Sequence, residues 1–227
     1  MLGTTVNAIA VIIGSLIGLF LKKGLPKKLS DAVMTGVGLC VVYLGIDGCL
    51  EGQNPLIAVI SIAVGAIIGT LLDLDGKLSS LGDLVEKKFS KNSDGNVSLA
   101  QGFVSSSLLF CVGAMAIVGA LQSGLTGDNQ TLYTKSLLDF ISAIVFASSM
   151  GVGVMFSAVA LFVYQGLIAI LAGFLSPLLS DAAIAEMTCS GSILLIGLGL
   201  NLLGITKIKV MNYVPAIFIP ILLCLFM

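Results

Sequence analysis

The chain has no histidine, no arginine and no tryptophan, and only 10% of its 227 residues are charged. Without imidazole, Ser-His-Asp and Cys-His catalysis and histidine metal sites are excluded, because each needs a ring nitrogen that trades protons or lone pairs near neutral pH. Without guanidinium, the usual bidentate reader of phosphate and base edges is missing. A net charge of −1 gathers no nucleic acid either. The five cysteines (Cys40, Cys49, Cys111, Cys189, Cys224) lie mostly inside apolar runs with no CxxC spacing, so they read as small buried hydrophobes. The expectation is a protein that is not an enzyme and carries no cofactor, metal or nucleic acid.

Apolar residues make up 57% of the chain, at a mean hydropathy of +1.13. That is the composition of a membrane protein. A spanning helix needs about 20 mostly apolar residues. Such lengths occur at 3–21, 32–50, 55–72, 101–121, 136–179, 187–204 and 210–227. The run 136–179 is too long for one span, and Met150-Gly151-Val152-Gly153-Val154 interrupts it, so it divides there. The predicted fold is all-α: a polytopic helical membrane protein of about eight transmembrane helices. Seven spans with a re-entrant 136–150 is the fallback.

The lysines orient these spans. Lys22, Lys23, Lys27 and Lys28 follow the first; Lys77, Lys87, Lys88 and Lys91 the third; Lys207 and Lys209 the seventh. With eight spans those loops share a side, and only Lys135 lies opposite. The positive-inside rule makes the lysine-rich side cytoplasmic, with both termini outside. Landmarks also recur in order. Leu29-Ser30-Asp31-Ala32 returns as Leu179-Ser180-Asp181-Ala182, Met34-Thr35 as Met187-Thr188, and Asn54-Pro55 more loosely as Asn212-Tyr213-Val214-Pro215. The eight-span orientation makes this an inverted repeat, a plan common among transporters, with the substrate site at the repeat interface. One membrane domain, 1–227, then comprises a three-helix repeat (3–72), a connector (73–100), bridging helices (101–153) and the inverted repeat (154–227).

The first apolar stretch has no positive residue ahead of it and no small-x-small site before Lys22, so it reads as a retained span. In the connector, Leu78, Leu81, Val85 and Phe89 recur at helical spacing opposite Lys77, Asp83, Lys87 and Lys88, a helix lying on the cytoplasmic face. Gly14-x-x-x-Gly18 and Gly65-x-x-x-Gly69 let helix backbones approach closely. Packing within the chain is the first reading; a homodimer through these faces is the second. Gly151-x-Gly153 and Gly197-x-Gly199 follow no strand and are not nucleotide loops.

Function is sought in polar groups that the bilayer makes costly. A charged residue at a helix centre costs about 2.5–3.5 kcal/mol on insertion scales. Asp139 leads, about one turn inside Lys135, with Ser142 on nearly the same face. An interfacial Lys135–Asp139 pair weighs equally with a cation or proton site. Asp47, beside Glu51, reads as structural. Asn7, Gln165 and Asn201 bring amides into apolar runs, where bridging to a neighbouring helix weighs slightly ahead of ligand binding. Ser148, Ser149 and Ser157 cluster around the Gly151 and Gly153 break, where unwound backbone exposes carbonyls to an ion; Ser106 and Ser107 do so in the fourth span. Pro215 and Pro220 kink the last helix.

Six stretches carry a family likeness: Gly3-Thr4-Thr5-Val6-Asn7-Ala8, Gly124-Leu125-Thr126-Gly127-Asp128, Lys135-Ser136-Leu137-Leu138-Asp139-Phe140, Tyr164-Gln165-Gly166, Gly199-Leu200-Asn201-Leu202-Leu203-Gly204 and Asn212-x-x-Pro215-Ala216. In these the chain resembles the bacterial inner-membrane family called domain of unknown function 554, the YqgA/YdfK-like proteins. The resemblance implies a multi-pass protein of the bacterial inner membrane and supplies no activity. The functional expectation is a secondary, ion-coupled carrier of a small solute, proton or monovalent cation, with Asp139, Asn7, Gln165 and the serines around Gly151 and Gly153 lining the site. A channel and a non-catalytic scaffold are the alternatives. An intramembrane aspartyl protease built on Asp47 and Asp139 lacks the Tyr-Asp and Gly-x-Gly-Asp signatures. Cysteines placed in the 22–28 and 207–209 loops are expected to label from the same side of the membrane in intact cells and inverted vesicles; labelling from opposite sides overturns the eight-span model.

Overall fold

The computed structural model describes residues 1–22, 27–77, 80, 99–112 and 114–225. Its helices are α1 (Leu2–Lys22), α2 (Lys27–Cys49), α3 (Pro55–Leu71), α4 (Leu99–Cys111), α5 (Ala114–Leu125), α6 (Gln130–Met150), α7 (Gly153–Ile170), the single turn α8 (Ala172–Leu175) and α9 (Asp181–Leu202). A 3-10 segment (Val210–Ile217) and α10 (Ile219–Leu223) complete it. Every element among the described residues is helical. Most of the connector helix predicted in 73–100 lies outside them.

Four helices are long and apolar enough to cross a membrane: Leu2–Leu21, Asp31–Cys49, Gly153–Ile170 and Asp181–Leu202. A fifth crosses if α4 and α5 form one bent span. The protein is a multi-pass membrane protein. Pro55–Leu71 and Val210–Leu223 are apolar but shorter, and α6 has the length, 21 residues, but carries Lys135 and Asp139.

Three local expectations change. The fourth segment is not one straight helix, because Leu99–Cys111 and Met115–Leu125 are bent by 62°. One turn before the break the Ser106 hydroxyl donates to the carbonyls of Gly102 and Phe103, at 2.7 and 3.3 Å. Such back-bonding bends helices. The last helix is not α-helical at its start: prolines at 215 and 220 remove backbone donors, and the chain winds with i→i−3 bonds such as Phe218 N–H to Pro215 O, 3.1 Å. Of the cysteines expected to be buried only Cys189 is; Cys49, Cys111 and Cys224 are half-buried and Cys40 is exposed, and all five are free.

The break between α6 and α7 falls where the glycines suggest. Gly151 has φ +84° and ψ −155°, a conformation that strains any residue with a Cβ. Asn54 caps α3 by accepting from Leu56 N–H, with Pro55 in the first turn, and Ser180 caps α9 by accepting from Ala183 N–H.

Packing sorts the helices into two groups. In one, α1 lies chiefly along α6 and also touches α7, which in turn packs on α4 and α5; in the other, α2 lies along α9 and α3 along the 3-10 segment. Fewer contacts join the groups, through α2 with α6 and α9 with α4 and α5. Lipid tails are as apolar as leucine, so close backbone approach rather than hydrophobic drive holds such helices together. A Cβ on Gly14 would meet the Phe140 carbonyl and Ala143, one on Gly18 the Ile144 carbonyl and Ala147, and one on Gly69 the Asn212 backbone, while Gly65 abuts Ala216. Both glycine pairs therefore face partners within the chain. The order of contacts makes α1 and α6 parallel, and α2 with α9 and α3 with the 3-10 segment antiparallel.

Gly18→Leu should lower the thermal midpoint of the detergent-solubilised protein by roughly 5 °C or more, as overpacking of a close contact does. Gly36→Leu, at a position with nothing within 4 Å of its Cβ site, should leave it unchanged.

Candidate functional site

The seam between α1 and α6 is read off spacing. Gly3, Asn7, Val11, Gly14 and Gly18 recur every three or four residues on α1, and Leu132, Ser136, Asp139, Ala143 and Ala147 do so on α6. At the seam's start the Gly3 N–H donates to Asn129 Oδ1 at 2.9 Å. The Ser123 hydroxyl of α5 donates to the same oxygen at 2.8 Å. The first turn of α1 is thus pinned to the first turn of α6.

Inside the seam lies a buried ion pair. Lys135 Nζ donates to both oxygens of Asp139 at 2.8 Å, and the two residues are 6% and 5% exposed. Asn7 Nδ2, from α1, donates to Asp139 Oδ2 at 2.9 Å and makes a longer contact of 3.5 Å to Gln165 Oε1, from α7. Asn7 and Gln165 are fully buried. Side chains of α6 and α1 therefore meet on one carboxylate, and α7 joins the cluster through Asn7. The cluster is not saturated: Asn7 Oδ1, Gln165 Nε2 and Thr4 Oγ1, one turn from Asn7, are buried without hydrogen-bond partners among the described residues. An unpaired buried polar atom costs about 1–3 kcal/mol, so these three atoms are the places where a polar ligand has most to gain.

Asp139, Asn7 and Gln165 thus come together, and the remaining sequence candidates stand elsewhere. Ser142 is half-buried on α6 and makes no contact with the cluster among the described hydrogen bonds. Ser149 bonds back to the Val145 carbonyl, as Ser148 does, and Ser157 bonds to that of Val154. Those hydroxyls serve their own helices. Gly153 packs against the Leu99 carbonyl and Phe103 N of α4, so the glycine break is a close helix contact. Asn201 belongs to the second group, where its amide clamps the turn after α9. It donates to Ile208 O at 2.7 Å and accepts from Thr206 Oγ1 and Ile208 N–H. Asp47 is exposed.

Two features escaped sequence reading. Lys135 was expected at the outer rim; it is as buried as its partner because glycines on α1 let that helix cover it. Glu186 stands just ahead of the apolar run 187–204 and so carries no signal of a span. The helix starts at Asp181, so Glu186 lies more than one turn inside, 2% exposed. Ser180 followed by Asp181 is the N-cap signal that marks this start. Glu186 Oε1 accepts from the N–H groups of Gln53 and Asn54, both at 2.7 Å, and fastens the α2–α3 loop to α9. In that loop partial burial, then the neighbouring Asp47 carboxylate, raises the pKa of Glu51.

Comparison with known proteins now places the chain. A family model described as "Protein of unknown function (DUF554)" matches residues 2–225. The chain belongs to that family. It is 35% identical to "Uncharacterized membrane protein YdfK" of Bacillus subtilis (strain 168) over 224 residues, covering 97% of this chain and 94% of that one. It is 30% identical to "Uncharacterized protein YqgA" of Escherichia coli (strain K12) over 218 residues, covering 95% and 93%. No solved structure matches.

Removing one member of a buried pair strands the other charge, at a cost of about 3–5 kcal/mol, whereas replacing both with apolar residues is often close to neutral. Lys135→Met and Asp139→Leu should each sharply lower the melting midpoint in detergent. The double variant should recover most of the loss; additive losses would show that the pair does not act as a unit.

Proposed function

We propose that this DUF554 protein is a secondary, ion-coupled carrier of a small solute or ion, with the Asp139 cluster as its coupling site. The observation that carries the reading is the Lys135–Asp139 pair, buried in the seam and wired to amides on two other helices, with donor and acceptor atoms left over beside it. Intramembrane ionisable residues are costly, and where they occur they mark ion and proton paths. Here the pair is neutral as a whole. A proton or monovalent cation on Asp139 competes with Lys135, and that exchange is a two-state event of the kind an alternating carrier needs.

The remaining detail of the architecture belongs to the same proposal. Eight crossings require α3, α6 and the 210–223 region to count as spans and α4 with α5 as one. Packing direction supports inverted repeats 3–72 and 154–227: the counterparts α1 and α7, α2 and α9, and α3 and the 3-10 segment touch each other, and each pair runs antiparallel. On this reading the lysine-rich loops are cytoplasmic and both termini lie outside.

The experiment uses purified protein in liposomes loaded with a pH-sensitive dye, under imposed sodium or potassium gradients. Wild-type protein should move protons in exchange for one of these cations, with saturation and counterflow. Asp139→Asn, which keeps the shape and an acceptor but removes the charge, should abolish the exchange while gel filtration stays unchanged. Undiminished exchange in that variant removes Asp139 from the mechanism. Discrete single-channel currents would replace the carrier by a pore.

A further inference from the structure

A cavity of about 200 Å³ lies where the two helix groups meet. From the first group, α4 contributes Ala100, Gln101, Val104 and Ser105; from the second, α9 contributes Leu198 and Asn201, and the following chain Ile208, Val210 and Met211. Asp75, just after α3, closes the wall. The Asp139 cluster, in the seam of the first group, shares no residue with it.

Three observations define what this space recognises. First, Asp75 supplies the one carboxyl group among the described lining residues. It is fixed in place, since its N–H donates to Asn212 Oδ1 at 2.9 Å, and no ion pair occupies its carboxylate among the described residues. Second, Ser105 is fully buried and its hydroxyl has no hydrogen-bond partner among the described residues, an orphaned polar group on the same wall. Third, Val104, Leu198, Val210 and Met211 supply an apolar stretch of the lining, beside the polar side chains of Gln101 and Asn201.

The helix ends do not change the sign of this charge. The first turn of α4 and the last turns of α9 both border the cavity, and their dipoles oppose each other, positive from α4 and negative from α9. Lys77, Lys207 and Lys209 lie nearby in sequence but are exposed and line no part of it. Their charges at the rim are screened by salt and weaken a bound cation without competing for Asp75. A bare metal ion fits poorly, because it asks for about six oxygen ligands, whereas the described lining holds one carboxylate and the Asn201 amide is already engaged by Thr206 and Ile208.

We propose that this cavity is a binding site for a small organic cation, an alkylammonium whose head group donates to Asp75 and Ser105 and whose short chain lies against Val104, Leu198 and Met211. Asn201, by clamping Ile208, holds one wall in position. The site is defined by equilibrium binding and stands apart from the carrier reading: binding without exchange sinks the carrier and leaves this site, and exchange without binding does the reverse.

The probe is propylammonium chloride, titrated into the detergent-solubilised full chain while the thermal midpoint is followed, with sodium chloride and sodium propionate as matched controls. Propylammonium should raise the midpoint saturably and the controls should not. Asp75→Asn should weaken the apparent affinity about tenfold, as truncating a charged partner does, and Asp47→Asn, at an exposed carboxylate, should match wild type. An equal rise with sodium chloride, or an Asp75→Asn protein that binds as wild type, overturns the proposal. A second measurement is independent of whether Asp75→Asn folds well. The Ser105→Cys thiol should react with a small methanethiosulfonate reagent and be protected at least threefold by propylammonium but not by propionate. An unreactive or unprotected thiol also overturns it.

Discussion

The close approach of α1 and α6 is the constraint on which the rest depends. Gly14 and Gly18 present bare backbone to the Phe140 and Ile144 carbonyls, so the axes draw together until the Asn7 amide reaches the Asp139 carboxylate. A side chain at either glycine holds the helices apart, and the carboxylate then keeps only its lysine. The same small residues that leave α1 little apolar surface to bury on this face give it a polar contact in return. Because hydrogen bonds between membrane helices average well under 1–2 kcal/mol, neither device suffices alone. The seam holds because glycine contact and polar contact occupy successive turns of one face.

From that seam the topology follows. Asn129 ties the start of α6 to α1 and α5, and Gln165 brings α7 to the cluster. The second group uses the same means at different places: Gly38, Gly45 and Gly48 on α2 accept Leu202, Ile196 and Ser192 of α9, and Gly65 and Gly69 on α3 accept Ala216 and Asn212. There the polar contact is Glu186, which grips backbone donors of the α2–α3 loop rather than a side chain. Each group thus combines a glycine face with one buried carboxylate, and the inter-group contact is the more sparsely packed surface. That is where the cavity lies.

Much of this was legible in the sequence and some of it was not. Length and apolarity located α1, α2, α3, α6, α7 and α9, because bilayer insertion demands long uncharged helices. Gly151 marked the break because a positive φ has few other tenants. The convergence of Asp139, Asn7 and Gln165 was anticipated from cost alone: each is a polar group in an apolar run, and such groups seek one another. Partner geometry was out of reach. Nothing local tells Ser149, which bonds to its own helix, from Asn7, which crosses to another, and Asn201 carries the same signal as Gln165 while serving a turn. The bend in α4–α5 and the 3-10 winding at 210–217 depend on hydroxyl and proline bonding that an apolarity profile averages away. Lys135 was assigned to the rim because a lysine near a helix end normally snorkels to water; glycines 120 positions away in sequence made the difference.

If Asp139 is the coupling site proposed above, Lys135 sets what kind of site it is. A lone carboxylate at this depth would attract any cation and hold it, while a carboxylate with a tethered ammonium is already neutral and yields only to a competitor that compensates for the displaced lysine. Lys135 is on the same helix, four residues away, so displacement needs only a change of side-chain rotamer, and the freed ammonium still has to find acceptors. The buried and unpartnered Asn7 Oδ1 and Thr4 Oγ1 lie on the facing helix. An exchange in which an incoming cation takes Asp139 and Lys135 moves toward those two oxygens keeps every charge in the seam solvated by protein. It would also alter the Asn7–Asp139 hydrogen bond between α1 and α6, so that occupancy of the proposed site and the packing of this seam would change together.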